Sequence, residues 1–219
     1  MDLKQISVTY EYTSNSYHAK QWLKNLPDLF AADFEIASKF SLDDKELNKI
    51  FLKQNYSKRA KRVLLQEITS DGLSHPSLTT ITHLSIASSE SEGKVIVFDD
   101  DYLRSMVLNF LITTDKTQIW HNCQFDFKHI FYHTKKIPKK FIDTQLLAKS
   151  LITDANSIKN NFSLKELMSY AYGTWAISKD NFTLEEMWDE NMIKYAAIDS
   201  CATYKLYMDI LQDLEEWSI

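Results

Sequence analysis

Three glycines, three prolines and two cysteines are all that 219 residues contain of the types that turn, kink or staple a chain. So little glycine and proline excludes a collagen-like or linker-type protein and argues against disorder. Two cysteines, Cys123 and Cys201, supply neither a disulfide framework nor a zinc set, and they suit a reducing compartment. No run of eighteen apolar residues occurs, so no membrane partner or membrane-spanning helix is expected. The opening Met1-Asp2-Leu3-Lys4-Gln5 has no signal-peptide core, and the expected location is cytoplasmic, a host cytoplasm if the gene is phage-borne. An excess of basic residues is also missing: the net charge of −5 does not by itself suggest a nucleic-acid partner.

What is present is a hydrophobic fraction of 44%, ample for a core, in a chain whose length fits one domain, 1–219. Charge is unevenly placed. Residues 43–62 carry a net +4, residues 127–140 carry five lysines and no acid, and residues 180–216 carry a net −8. An acidic pole with basic flanks is what a metal site acting on a polyanion needs, although solvated surface faces give the same counts.

The stretch that organises the chain is Leu29-Phe30-Ala31-Ala32-Asp33-Phe34-Glu35, an apolar run led in by Pro27 and ending in two carboxylates. The run reads as a short buried strand. Alternation on a strand sends Asp33 and Glu35 to one face and Phe34 to the other. Two carboxylates that close repel, more so when buried, and a divalent cation removes the penalty. The plainer reading is a strand that ends in solvent, and other carboxylates must arrive to decide.

Around it, residues 4–12 read as a strand, 14–26 as a helix with Tyr17, Trp22, Leu23 and Leu26 as its apolar stripe, and 43–68 as charged helix. The last of these belongs to a helical insertion at about 43–75. Thr80–Ser88 and Lys94–Phe98, joined by Ser89-Glu90-Ser91-Glu92-Gly93, form a hairpin signature. Helix (100–112), strand (117–121) and helix (125–133) follow, then Phe141-Ile142-Asp143-Thr144, where Asp143 or Thr144 caps a helix at 144–152. Ser163-Leu-Lys-Glu166 and Thr183-Leu-Glu-Glu186 are capping boxes, and 191–214 reads as a long final helix. The order predicts an α/β domain, a mixed sheet flanked by helices.

Two further constellations bear carboxylates. In His121-Asn122-Cys123-Gln124-Phe125-Asp126-Phe127 a strand ends and Asp126 falls in the first turn of a helix, where the dipole favours it. The plain alternative there is a helix-starting acid with Asn122 as cap. In Tyr195-Ala196-Ala197-Ile198-Asp199, the tyrosine and aspartate share one helix face, and the two alanines permit close packing on a sheet.

In order and setting, the strand-borne Asp33-x-Glu35, the Asn122-x-x-Phe-Asp126 after a later strand and the Tyr195-x-x-x-Asp199 on a late helix resemble the DEDD superfamily of 3′–5′ exonucleases. Tyr195 is similar to the tyrosine branch, which includes the proofreading domain of DNA polymerase I-type enzymes and RNase D; the sister branch has histidine where Lys194 stands. The likeness runs from about residue 15 to 216. Two departures are the 43–75 insertion and Ile36-Ala37, where relatives carry small hydroxyl residues.

The resemblance implies an RNase H-like fold, with Asp33, Glu35, Asp126 and Asp199 holding two Mg²⁺ or Mn²⁺ ions and Tyr195 orienting the attacking water. It implies hydrolysis of phosphodiesters from the 3′ end of single-stranded DNA to 5′-mononucleotides, with RNA as the alternative substrate and a replication polymerase as a possible partner in proofreading. Phe34 and Asn122 carry over as substrate contacts. Lys135, Lys136, Lys139 and Lys140 are expected to follow the strand's phosphates, as is the basic helix at 45–62. Trp175, Trp188 and Trp217 read as core more than as stacking platforms, His121 as a structural strand-end residue, and both cysteines as fillers of small buried volumes. A non-catalytic nucleic-acid or polymerase-binding module on the same fold is the other class of reading, opposed by the complete acidic set.

Overall fold

The computed structural model describes residues 7–38, 75–151, 162–172 and 187–216. Six strands form one mixed sheet: β1 (Thr9–Thr13), β2 (Leu29–Ser38), β3 (Thr79–Ala87), β4 (Glu92–Val97), β5 (Thr117–Trp120) and β6 (Phe141–Asp143), in the spatial order β1-β4-β3-β2-β5-β6. β2, β3 and β4 are antiparallel neighbours, whereas β1 lies parallel to β4, and β5 and β6 extend the other side in parallel with β2. Parallel neighbours need crossover connections, and helices supply them. These are α1 (Ser16–Lys24), α2 (Asp101–Thr113) and α3 (Cys123–Thr134); α4 (Thr144–Leu151), α5 (Leu164–Tyr172) and the long α6 (Glu190–Glu216) complete the chain. This is the mixed α/β sheet flanked by helices that the order of elements predicts, and the RNase H-like arrangement that the resemblance implies.

One face of the sheet packs on α1, α2 and α3 through Phe30, Ala32, Phe34, Leu84, Ile86, Leu103, Leu111, Trp120 and Ile130. The first half of α6 covers the other face, where Ile193, Ala196 and Ala197 meet Val95 and Val97. Its second half turns to α4 and α5 through Ala202, Leu206 and Ile210. Of the two capping boxes, that of Ser163 is in place: the Glu166 N–H donates to its hydroxyl at 3.3 Å. Asp189 caps α6 by accepting from Asn191 N–H at 2.8 Å.

Several expectations need amendment. β2 does not stop at its carboxylates; pairing with β3 carries it through Ile36 and Ala37 to Ser38, because cross-strand bonds override the local interruption by two acids. Tyr17 is exposed, so the stripe of α1 is narrower than its sequence suggests. Trp188 is half exposed and not core. The helical insertion at 43–75 (but for its last residue), the basic helix at 45–62, the capping box at 183–186, Trp175 and Trp217 lie outside the described residues. Among the described residues no helix is long and apolar enough to cross a membrane.

Gly93 sets the depth at which α6 seats. A Cβ built there would lie 2.9 Å from Ala197 Cβ and 3.0 Å from its carbonyl oxygen, so helix and sheet touch backbone to backbone. Gly93→Ala is therefore expected to lift α6 locally and to cost about 1–3 kcal/mol in denaturant unfolding. Loss of the turnover that the resemblance implies should exceed what that stability change explains, since α6 carries Tyr195 and Asp199. An unchanged unfolding midpoint would show that the helix is not held at this point.

Candidate active site

Alternation along β2 puts Phe30, Ala32 and Phe34 into the helix-covered core and turns Asp33 and Glu35 to the face beneath α6. There Asp33, Glu35 and Asp199 each offer an oxygen within 4.8 Å of the others. Glu35 is only 1% exposed, and its two partners are half-buried. Three carboxylates in that space strongly disfavour one another's charge. Oxygen-only donors of this kind match a hard divalent cation such as Mg²⁺ or Mn²⁺, and no described cysteine or histidine joins them to favour zinc.

Tyr195 stands one helical turn before Asp199 and hydrogen-bonds to it. Burial, then the charges of Asp199 and Glu35, the bond to Asp199 and the charge of Asp33 push its hydroxyl well above the ordinary phenol range. The hydroxyl therefore stays protonated. It can aim a water but cannot act as a base at neutral pH.

Asp126 arrives from the first turn of α3 and is 2% exposed. Its Oδ1 accepts the N–H of Phe34, in the middle of the acidic strand motif, at 3.2 Å. That donor is open because β5 pairs with β2 only over Leu29–Ala31, leaving the edge beyond Ala31 for another partner. Asp126 is thus locked to the site's backbone, although it is not one of the three acids that share the 4.8 Å group.

The start of α3 is built differently from the sequence expectation. Asn122 occupies the cap position in the left-handed region, φ 57°, a conformation that asparagine tolerates, but its side chain makes no capping bond. Asp143 does this instead. Its carboxylate accepts the N–H groups of Asn122 and Cys123 at 3.0 Å each, and that of Gln145 at 2.9 Å. One buried acid thereby anchors the beginnings of both α3 and α4, and with α3 it fixes Asp126.

Sequence reasoning missed the supports from β3. The register of β2 and β3 slips after Glu35: Glu35 faces His83 and Ile36 faces Ile81, which leaves Thr82 as the extra residue of a bulge. The Thr82 hydroxyl donates to the carbonyl of Glu35 at 3.1 Å, and Ser85 donates to that of Asp33 at 3.3 Å. His83, fully buried, places Nδ1 2.9 Å from the Thr82 hydroxyl and Nε2 2.7 Å from the Met187 carbonyl, just ahead of α6. A carbonyl only accepts, so Nε2 carries the proton. His83, whose backbone pairs with Glu35, thus ties β3 to the entry of the tyrosine helix through Nε2. The polar run Thr79-Thr80-Ile81-Thr82-His83 inside a buried strand was the available signal.

Other candidates fall elsewhere. Phe34 is 2% exposed and packs against Trp120 with ring centroids 5.5 Å apart, so its side chain lies in the core and points away from the carboxylates, while its N–H bonds Asp126. Asn122 is exposed at the strand end. Lys135, Lys136, Lys139 and Lys140 are exposed, but Lys135 lies nine residues beyond Asp126, roughly 13 Å along the helix axis. His121 bonds Thr144 at 2.9 Å and the Phe162 carbonyl at 3.0 Å, a structural role. Burial, aided by Asp143, pushes the Cys123 thiol up to about 12, and burial does the same for Cys201. Both stay as inert thiols.

Comparison with known proteins gives a consistent picture. A family model of 3′-5′ exonucleases matches residues 74–215, which contain Asp126, Tyr195 and Asp199; the Asp33–Glu35 strand precedes the match and joins through the sheet. No curated protein sequence matches the chain. Among solved structures the fold is similar to that of Brucella melitensis NrnC bound to pGG, with a TM-score of 0.60 and 17% identity over 98% of this chain and 83% of that one. It is also similar to Escherichia coli RNase D, an exoribonuclease involved in structured RNA processing (0.57, 13%, 95% and 46%), and to Trypanosoma brucei RNase D in complex with RNA U12 (0.55, 15%, 92% and 62%).

Two histidines, the buried His83 and the part-buried His121, make stability depend on pH. Burial lowers His83 and His121 to about 4, from an ordinary 6.5. The unfolded chain takes up these protons first, so their contribution is complete above pH 6.5 and is lost as pH falls toward 4. Each should cost about 2 kcal/mol by pH 5. Urea unfolding at pH 7 and pH 5 should show His83→Gln losing less stability than the parent over that interval. Parallel losses in the two proteins would contradict the assignment.

Proposed function

Because the chain belongs to the 3′-5′ exonuclease family, we propose that Asp33, Glu35, Asp126 and Asp199 hold two divalent cations, Mg²⁺ or Mn²⁺, at which the 3′-terminal phosphodiester of a single strand is hydrolysed to a 5′-mononucleotide. The observation that carries this reading is the convergence of three carboxylates from a strand and a helix within 4.8 Å, with a protonated tyrosine bonded to one of them. Such cations, when bound, acidify a water and neutralise charge on the leaving oxygen.

The chain's own part is positioning. Asp33, Glu35 and Asp199 fix the oxygen donors, two of them on a strand whose carbonyls β3 hydroxyls hold. Asp126 adds its charge at the opposite side of β2, clamped by Phe34 N–H. Tyr195 orients the attacking water through a hydroxyl that keeps its proton, as in the tyrosine branch of DEDD enzymes. In a site made of preset charges the lowering of the barrier comes from electrostatics and alignment.

The leading substrate is the 3′ end of single-stranded DNA, in a proofreading role beside a replication polymerase. A second reading, an exoribonuclease, is favoured by the likeness in fold to NrnC bound to pGG and to RNase D with RNA U12. These part on the 2′-hydroxyl, the group that tells RNA from DNA. A non-catalytic module is disfavoured by the buried acids, which are costly to keep without cations.

Asp33→Asn and Asp199→Asn should each lower turnover by at least about a hundredfold while leaving the metal-free melting temperature equal or higher, because one repelling charge is gone. Tyr195→Phe should slow turnover roughly ten- to hundredfold and keep the Mn²⁺-induced rise in melting temperature. The assay uses 5′-labelled DNA and RNA of one sequence with Mg²⁺ or Mn²⁺. A ladder from DNA alone supports proofreading, a preference for RNA supports the second reading, and a ladder that persists in Asp199→Asn overturns the site.

A further inference from the structure

We propose that His83 is a positioning residue for the carboxylate site: its ring sets the place of the Glu35 side chain and the seat of α6, and through them the affinity for a divalent cation. The role rests on the reading of Asp33, Glu35 and Asp199 as cation ligands. Glu35 and His83 stand directly opposite each other on the antiparallel strands β2 and β3. Opposed residues present their side chains on one face, with Cβ atoms about 4.5–5.5 Å apart. On its other side His83 opposes Val97, which packs in one cluster with Ile193 and Ala196 of α6, so the shared face is the one beneath the helix. The histidine ring therefore stands beside the Glu35 side chain, and the two are 0% and 1% exposed.

The ring is held at both nitrogens. Nδ1 lies 2.9 Å from the Thr82 hydroxyl, and Nε2 donates at 2.7 Å to the carbonyl of Met187, three residues before Glu190 begins α6. The same Thr82 hydroxyl holds the Glu35 carbonyl at 3.1 Å. One imidazole thus flanks the Glu35 side chain, shares a hydroxyl with its main chain and holds the approach to the helix that brings an oxygen of Asp199 within 4.8 Å of one of Glu35. Groups that orient metal ligands without ligating typically change affinity by about 10–100-fold when removed. A histidine that only stabilised the fold would change the unfolding free energy and leave the folded protein's affinity for the ion as it was.

The test measures Mn²⁺ binding to the full chain at pH 7 from the electron paramagnetic resonance signal of free Mn²⁺, at a temperature where circular dichroism shows each variant folded. His83→Leu, close in volume but without a nitrogen, should weaken binding about tenfold or more. His83→Gln, whose amide reaches as far as Nε2 and can donate to the Met187 carbonyl, should bind within about threefold of the parent. Thr82→Val, which keeps the shape and loses the hydroxyl, should weaken binding about two- to tenfold. Equal binding by the parent and His83→Leu would overturn the role. So would a loss in His83→Gln as deep as that in His83→Leu, because the bond to Met187 would then be of no account. Should His83→Leu not fold, parent-like binding by Thr82→Val overturns it instead. A parent that binds no Mn²⁺, or binds it unchanged after Asp33→Asn, would remove the cation reading itself and this role with it.

Discussion

Repulsion among carboxylates governs this molecule. Asp33, Glu35 and Asp199 approach within 4.8 Å, and Glu35 is shut away from water, so each charge raises the cost of the next. Left to local forces, a strand and a helix bearing those charges would separate. They stay together because uncharged contacts of much larger total area hold them: Ala196, Ala197 and Ile193 on Val95 and Val97, with Gly93 admitting the helix backbone itself. The apolar seam and the acidic cluster are two parts of one device, the first storing what a cation, on the proposed reading, would release.

A second tier of polar bonds gives the cluster its exactness of position. Main-chain carbonyls at both strand acids are held by hydroxyls of β3, and a bulge at Thr82 creates one of those bonds. His83 ties the same strand to the turn that opens α6, and Asp143 ties two helix starts to the edge that presents Asp126. None of these groups is part of the acidic set. Their work is to remove freedom from the groups that are, which is how a site on regular elements gains alignment.

Much of this was legible in the chain. Period-two alternation through Phe30–Glu35 gave the facing of the acids, and four-residue spacing joined Tyr195 to Asp199. The hairpin of β3 and β4 followed from its polar turn, and Asp143 was visible as a cap. What could not be read depended on register. Whether Thr82 or His83 opposes Glu35 is decided by a one-residue slip between strands 50 residues apart in sequence, which no local pattern encodes. The side chain of Phe34, which the resemblance offers as a substrate contact, lies in the core, on the face to which its alternation assigns it. Asn122 looked like a helix cap, yet the capping oxygen comes from a residue 21 positions later.

The brevity of β5 has a consequence of its own. Four residues long, it leaves the edge of β2 that faces it open beyond Ala31, while β3 pairs the other edge as far as Ser38, and the vacated main-chain donor is the one that Asp126 takes. Had β5 continued by two residues, its carbonyl would occupy that donor and turn the aspartate out, with every acidic side chain still in the sequence. On the proposed reading, strand length is thus inherited as part of the site. A lineage can lose the activity by a slip in where a strand ends, and its sequence would go on carrying the full acidic signature of an enzyme.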